Sequence, residues 1–313
     1  MPEDLIKFKN KEYWDEKLQD YVDGKVSWLG DQIDIWRYFK HCLRTQNRFF
    51  FKNPLVPLIV EKFEANAFVL NADTALYRAR IDKEWEFYKQ CLLAQERIDL
   101  LNTKFTEEEL SSKAIVNGIK AYNDKRITEI ESDSQYLALC ERRKTGFEGY
   151  DLEGSGAPPC DKAESGRCNP ENVVFLYAAN DAHTAVAEIR PFIRDSVSVA
   201  TLKVKRNLKL VDFYYKIDKN GVFRIDDNVF FMMRTEYSLL NKGNKNDYLV
   251  TQFLSLLAQD AGFDGIRFRS SLVEEGTNYV IFNPSDCEPV SSKVYVIPRV
   301  KYDLVPALNE QGV

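Results

Sequence analysis

Short apolar runs, none of them long, recur along the C-terminal half of the chain between stretches of helical spacing. Five runs have the length and the β-branched or aromatic content of strands: residues 173–179, 196–204, 208–213, 265–270 and 279–282. Residues 181–190 and 248–261 have helical spacing, the first with Asp181 as N-cap and Pro191 as stop. Several short strands with few helices between them predict an α+β fold whose sheet is mixed and largely antiparallel.

The first half of the chain predicts two helical regions around a single strand. Residues 1–70 place aromatic and apolar side chains at helical spacing, interrupted by prolines, and are expected to be an N-terminal helical appendage. Leu76 to Ile81 then reads as a buried strand, and residues 84–143, rich in Lys, Glu, Leu and Ala, as a helical insertion. Glycines and prolines crowd into the loop that follows, near residues 145–170. We therefore expect a helical region at 1–70 and a catalytic domain at 71–313.

Composition excludes several classes of protein. The chain carries 43 Lys and Arg against 48 Asp and Glu, so its formal net charge of −5 gives no general reason to bind nucleic acid. No apolar run approaches the roughly 20 residues that cross a bilayer, and the N-terminus lacks the apolar core of a signal peptide, which predicts a cytoplasmic protein without a membrane partner. Six scattered cysteines and two histidines are too few ligands for a zinc site, so no metal is expected.

Polar residues stand at the ends of several apolar runs, where a sheet would deliver their side chains to one cleft. They are Tyr77, Arg78, Arg167, Asn169, Tyr177, Glu188, Ser270 and Asn278.

Motifs around these residues resemble, in order, those of the RES domain family, whose name records Arg, Glu and Ser. The N-terminal motifs are Leu76-Tyr77-Arg78, the segments 166–170 and 176–178, and Thr184 to Glu188. The C-terminal motifs are the segments 251–254, 263–271 and 276–282. The resemblance spans about Leu76 to Phe282. The N-terminal appendage and the helical insertion depart from the compact family pattern.

The resemblance implies a fold related to ADP-ribosyltransferases and an activity on NAD⁺. The implied reaction is phosphorolysis to nicotinamide and ADP-ribose 1-phosphate, with NAD⁺ as substrate, inorganic phosphate as co-substrate and no separate cofactor. It also implies a toxin, often paired with a helix-turn-helix antitoxin or another neutralising protein. Self-association through the appended helices is a further expectation, by analogy alone.

Three residues are expected to be catalytic: Arg78, Glu188 and Ser270. A carboxylate beside the ribose stabilises an oxocarbenium-like transition state, which is the role expected of Glu188. Arg78, together with Arg167, offers a planar fork suited to phosphate groups. Ser270 is expected to donate a hydrogen bond to a phosphate or ribose oxygen, although Ser271 competes for this assignment because neighbouring strand residues face opposite sides.

Four residues are expected to bind substrate: Tyr77, Arg167, Tyr177 and Asn278. A tyrosine combines an aromatic face with a polar tip, so Tyr77 and Tyr177 could stack on nicotinamide or hydrogen-bond the ribose. Asn278 lies across the expected hairpin from Ser270, where it either completes the site or forms a turn.

Two other interpretations remain open at this stage. The same ribosyl cation could be captured by water or by a protein side chain, which would make the chain an NAD⁺ glycohydrolase or an ADP-ribosyltransferase. Alternatively, the helical appendage could dominate, which would make it a binding or scaffold protein with a decayed catalytic domain.

Overall fold

The computed structural model describes residues 8–46, 52–82, 132–215, 228–238 and 248–300, with positions 121, 124, 125, 128 and 129. Within these residues there are eight α-helices: α1 (Lys11–Val22), α2 (Leu29–Thr45), α3 (Leu55–Ala65), α4 (Ser134–Lys144), α5 (Leu152–Ser155), α6 (Ala182–Glu188), α7 (Asn228–Ser238) and α8 (Leu249–Asp260). The described strands are β1 (Ala67–Leu70), β2 (Ala75–Ile81), β3 (Leu176–Ala179), β4 (Ser196–Val204), β5 (Leu208–Asp212), β6 (Gly265–Arg269), β7 (Thr277–Ile281) and β8 (Cys287–Val296).

The strands form one sheet in the order β1-β5-β6-β7-β3-β2-β4-β8. The pairs β1·β5, β2·β3, β3·β7 and β6·β7 are antiparallel, whereas β5 and β6 run parallel. The α+β class with a mixed, largely antiparallel sheet is thereby confirmed. The five residues of β7, at the middle of the sheet, are all buried, and α6 packs against this strand.

Two compact units make up the chain, and each is described by itself. The first contains Met1–Arg78, Leu152–Glu188 and Thr201–Val290, and every strand contributes residues to it. The second contains Ala79–Asp151, Ile189–Ala200 and Ser291–Val313.

Helices near the N-terminus share one hydrophobic core with the sheet of the first unit. On α2, Ile35, Trp36, Phe39 and Leu43 form the apolar stripe of an amphipathic helix, and each is at most 3% exposed. Phe39 meets Phe253 of α8 edge to face at 6.1 Å between ring centroids. The expected helical character of residues 1–70 is seen in α1 to α3, whereas residues 67–70 form strand β1 and pair with β5. Their separation from residues 71–313 as a domain stays a prediction.

Details of the helices and strands depart from the sequence-based boundaries. The helix α6 ends at Glu188, before Pro191, and α7 and β8 follow no pattern that the sequence reasoning recognised. Most of the predicted insertion at 84–143 lies outside the described residues, although α4 at its end is helical. Among the described helices, none is both long enough and apolar enough to cross a membrane.

Candidate active site

The carboxylate of Glu188 is the meeting point of three segments of the first unit. Its Oε1 atom accepts a hydrogen bond of 2.7 Å from Ser270 Oγ and a second of 2.7 Å from Asn278 Nδ2. The Glu188 side chain is exposed, while Ser270 and Asn278 are only 4% and 7% exposed. Within the described part of the chain, Oε2 accepts no hydrogen bond, so one oxygen of this exposed side chain is held and the other is not.

Local sequence explains why Glu188 reaches this position. Asp181 caps α6, since its carboxylate accepts from the backbone N–H of Thr184 at 2.7 Å and from the Thr184 hydroxyl at 2.8 Å. Burial opposes ionisation of Asp181, but these two hydrogen bonds hold the pKa of its carboxyl below its usual value. The short helix packs against β3 and β7 and ends at Glu188.

Gly276 allows α6 and the turn after β6 to approach closely. A Cβ atom at this position would lie 3.0 Å from Ser270 Cβ and 3.0 Å from both Thr184 Cγ2 and Thr184 Oγ1. The Ser270 backbone N–H donates to the Gly276 carbonyl at 2.8 Å, which closes the turn. A side chain here would be tight against both residues, so Ser270 or Thr184 would have to move by a few tenths of an ångström.

Ser270, not Ser271, is the serine that meets the carboxylate. Its hydroxyl donates to Glu188 and accepts from the backbone N–H groups of Leu272 at 3.1 Å and Val273 at 3.2 Å. The single hydroxyl proton is therefore already used, which makes Ser270 a residue that orients Glu188. The expected donation to a substrate oxygen would require this bond to break.

Tyr77 lies in the same row of the sheet as Asn278. Tyr77 pairs with Ala179 across β2 and β3, and Ala179 pairs with Asn278 across β3 and β7. Residues paired in register present their side chains on the same face of a sheet. Tyr77 is half-buried, and its hydroxyl makes no hydrogen bond to any described residue.

Arg78, next to Tyr77, bridges two backbone segments. Its Nε donates to the Gly156 carbonyl at 3.0 Å, and one terminal nitrogen donates to the Tyr177 carbonyl at 3.3 Å. The half-buried guanidinium thus connects the Gly-rich loop to β3, and part of its hydrogen-bonding capacity is used by protein carbonyls.

Tyr177 and Asn169 fix the loop that carries Arg167. The Tyr177 hydroxyl donates to Asn169 Oδ1 at 2.7 Å and accepts from the Cys168 backbone N–H at 2.9 Å. Burial raises the pKa of Tyr177 well above its usual value, so the phenol stays neutral. A Cβ atom on Gly166 would lie 2.6 Å from Asn169 Oδ1, which explains the glycine.

Arg167 itself contacts α7 and β6. One of its terminal nitrogens donates to the Tyr237 carbonyl, and the guanidinium lies 5.7 Å from the ring centroid of Phe268. Sequence reasoning grouped Arg167 with the phosphate-binding residues but did not predict α7, which supplies this acceptor.

Two polar residues on α8 complete the support of this loop, and sequence reasoning gave them no role. Gln252 Nε2 donates to Ser165 Oγ at 3.0 Å, to the Gly166 carbonyl at 2.8 Å and to the Asn169 carbonyl at 3.0 Å. Thr251 Oγ1 donates to the Arg167 carbonyl at 2.5 Å. The sequence feature that could have identified them is the pair of adjacent polar residues on the apolar face of an amphipathic helix.

No group of three or more His, Cys, Asp or Glu side chains in the described ranges is arranged to hold a metal ion. Cys168 is fully buried beside the loop, and burial raises the pKa of its thiol to about 11, so the thiol is protonated near neutral pH.

The RES domain model matches residues 140–304, which is more than half of the chain. The chain belongs to the RES domain family. Arg167, Tyr177, Glu188, Ser270 and Asn278 lie inside this RES match, whereas Tyr77 and Arg78 lie upstream and join it through β2.

Other comparisons add little to the RES assignment. No curated protein matches the chain. A similar solved structure is a chain of the M. tuberculosis MbcT-MbcA toxin-antitoxin complex, at 10% sequence identity and a TM-score of 0.34. The alignment covers 76% of this chain and 91% of that chain.

Proposed function

We propose that this RES domain protein cleaves NAD⁺ at the bond between nicotinamide and ribose, with inorganic phosphate as the acceptor. The observation that carries the proposal is the Glu188 carboxylate, which has one oxygen held by Ser270 and Asn278 and the other accessible. Membership of the RES family supports the choice of NAD⁺ as substrate.

Electrostatics suit Glu188 to this reaction. The nicotinamide ring carries a positive charge in NAD⁺, and as the C–N bond breaks the bonding electrons move to the ring while positive charge develops on the ribose. A fixed carboxylate stabilises that developing charge without having to reorganise. Glu188 also ends α6, and carbonyl groups at a helix C-terminus add to the negative potential there.

Phosphate then attacks the ribose carbon that nicotinamide leaves, which yields nicotinamide and ADP-ribose 1-phosphate. In the proposed complex, Arg78 and Arg167 bind phosphate groups after exchanging part of their contacts with backbone carbonyls, and Tyr77 offers a ring face and a hydroxyl to nicotinamide or ribose. Tyr177 acts chiefly through the loop that its hydroxyl holds. Neither a metal nor a separate cofactor enters this scheme, because the leaving group is already cationic.

An enzyme of this kind depletes NAD⁺ and harms its own cell. The proposal therefore includes a toxin that acts in the cytoplasm and is restrained by a protein partner, such as a helix-turn-helix antitoxin.

Phosphorus NMR of the purified protein with NAD⁺, with and without inorganic phosphate, tests the proposal. We expect a new sugar-phosphate signal that requires phosphate and is lost in Glu188→Gln, a variant of nearly the same shape without the charge. Glu171→Gln, which changes an exposed glutamate elsewhere in the first unit, is the matched control and should keep the signal.

Each other outcome has a definite meaning. Free ADP-ribose without any need for phosphate would identify an NAD⁺ glycohydrolase, and label from NAD⁺ that becomes attached to protein would identify an ADP-ribosyltransferase. Unchanged NAD⁺ in every sample would contradict the enzymatic proposal and favour a binding protein.

A further inference from the structure

Apolar side chains of the second unit stand exposed where the segment before β4 meets the end of β8. Phe192 is 80% exposed and Ile193 is 55% exposed, and Tyr295 near the end of β8 is 45% exposed. Backbone hydrogen bonds join the two segments, from Arg194 N to the Ile297 carbonyl at 2.8 Å and from Ile297 N to the Asp195 carbonyl at 3.0 Å. Large apolar side chains that stand exposed on adjoining segments are typical of interaction sites.

A tight turn holds Phe192 and Ile193 outward. The Phe192 backbone N–H donates to Asp195 Oδ2 at 2.7 Å, and the Asp195 N–H donates to the Phe192 carbonyl at 3.1 Å. Arg190 and Arg194, on either side, have φ angles of 48° and 75°, in the left-handed region that residues with a side chain seldom adopt. Strained backbone persists where the surrounding structure enforces it, and such sites are often functional.

Most of the charged residues in these two segments are cationic, with Asp195 as the exception. Four exposed cations lie in the same two segments: Arg190, Arg194, Lys293 and Arg299. In the part of the chain that the structure describes, none of the four forms an ion pair with a carboxylate. We call these cations, together with Phe192, Ile193 and Tyr295, the cationic apolar patch.

We propose that the cationic apolar patch binds an acidic amphipathic segment of a partner protein. Phe, Tyr and Arg are the residue types enriched where protein interfaces are energetically strongest, and here they are presented together. The charge of the patch is complementary to an acidic segment. The chain as a whole has a net charge of −5, so this attraction is local and favours a segment that touches the patch over an extended anionic surface such as a bilayer.

This inference goes beyond the proposed function, because it concerns the second unit and its test requires neither NAD⁺ nor catalysis. A negative result in the NAD⁺ experiment would not count against binding by the second unit, and a negative result in the binding experiment would not count against NAD⁺ cleavage.

The test is fluorescence anisotropy with a labelled synthetic helix that carries leucine on one face and glutamate on the other. We expect the full chain to bind this peptide, and binding to weaken with added salt. Phe192→Ala, and separately the double variant Arg194→Glu with Arg299→Glu, should each weaken binding by about tenfold or more, as loss of a central interface residue does.

Matched variants on other surfaces keep the test specific. Trp28→Ala removes an aromatic side chain that is 71% exposed, and Lys52→Glu reverses an exposed charge; both should bind like the unaltered chain. A scrambled peptide of the same composition should bind less tightly, since it has no apolar face.

Three results would overturn the proposal: no binding of the amphipathic peptide, equal binding by the patch variants, or equal binding of the scrambled peptide. Vesicles of equal parts phosphatidylglycerol and phosphatidylcholine form a separate arm. Sedimentation of the chain with these vesicles, lost in Phe192→Ala, would reassign the patch to a lipid surface.

Discussion

At the scale of single residues, the two hydrogen bonds to Glu188 Oε1 decide how its carboxylate is oriented. Ser270 and Asn278 come from the turn after β6 and from β7, so the carboxylate is held from two sides at 2.7 Å each. Both donors are buried, and this shields the hydrogen bonds from competition by water. The accessible Oε2 is left in a defined direction.

Removing either donor should reduce turnover more than substrate affinity. For Ser270→Ala and Asn278→Ala we expect kcat to fall by about 10- to 100-fold with a smaller change in KM, because a misdirected carboxylate stabilises developing charge less well. Steady-state kinetics of nicotinamide release measure this effect. Ser271→Ala is the matched control, and an equal loss in Ser270→Ala and Ser271→Ala would contradict the assignment of Ser270.

Asp181 should make the free energy of unfolding depend on pH in the acidic range. Its pKa is lowered in the folded state, so its contribution is complete above its unfolded pKa of about 4 and is lost as the pH falls through the lower folded value. The stability difference between the unaltered chain and Asp181→Asn should therefore shrink as the pH drops from about 5 to about 3. Urea unfolding across that range measures it, and a difference that grows toward low pH would show that the sign is wrong.

At the scale of elements, the site depends on close approach between short segments. Helix α6 has seven residues, too few to be stable alone, and is kept in place by its Asp181 cap and by packing against β3 and β7. The loop at 165–169 has one backbone hydrogen bond of its own, from Gly166 N to the Asn169 carbonyl at 2.9 Å, and is otherwise held by side chains from α8 and β3.

Gly276→Ala should disturb the contact between α6 and the turn after β6. The new methyl group would meet Ser270 and Thr184 at 3.0 Å, and we expect a loss of about 1–3 kcal/mol in the free energy of unfolding, as for other overpacked sites, together with lower activity. Thermal or denaturant unfolding checks the first effect. Gly156→Ala, whose new methyl group would have only the Glu153 carbonyl within 4 Å, at 3.6 Å, should cost far less.

Gln252→Ala should loosen the loop that carries Arg167. The change removes the side-chain donor to the part-buried Gly166 carbonyl, while the Asn169 carbonyl keeps its hydrogen bond from the Gly166 backbone N–H, so we expect a loss of about 1–2 kcal/mol in the free energy of unfolding. Gln259→Ala, an exposed position on the same helix, is the control. Similar unfolding midpoints for the two variants would show that the loop does not depend on Gln252.

At the scale of the whole molecule, the N-terminal helices and the sheet of the first unit are joined by one core. Phe63 of α3 meets Phe213 and Phe263 edge to face, with ring centroids 5.9 Å and 6.2 Å apart. Trp36 of α2 donates a hydrogen bond of 3.0 Å to Glu236 of α7. Burial of this extent makes folding cooperative across these helices and strands.

Removing residues 1–70 should therefore expose the core and prevent stable folding of residues 71–313. Phe63→Ala is the milder form of the same test, and we expect it to lower the free energy of unfolding by about 3–5 kcal/mol. Circular dichroism and calorimetry of both proteins measure this. A truncated chain that melts cooperatively at the midpoint of the full chain would instead support an independent N-terminal domain, as the sequence pattern suggested.

Periodicity and motif order determined a good part of this protein by themselves. The 2.0 and 3.6 residue periods are local properties, so β4, α8 and the α+β class could be predicted from the chain, and the order of short motifs identified the RES family. Glu188, Ser270 and Asn278, named from those motifs, lie in direct contact in the structure.

Contacts between distant segments were decided only by the tertiary structure. No local pattern shows that the Ser270 proton is given to Glu188, that Tyr177 and Gln252 hold one loop from two sides, or that Arg167 meets Tyr237 on an unpredicted helix. These partners are 70 or more positions apart in several cases, and chain topology, not neighbouring residues, brings them together. The exposure of Phe192 also follows from the tertiary structure, because its apolar side chain by itself favours burial, yet it lies in a turn between two left-handed residues and is 80% exposed.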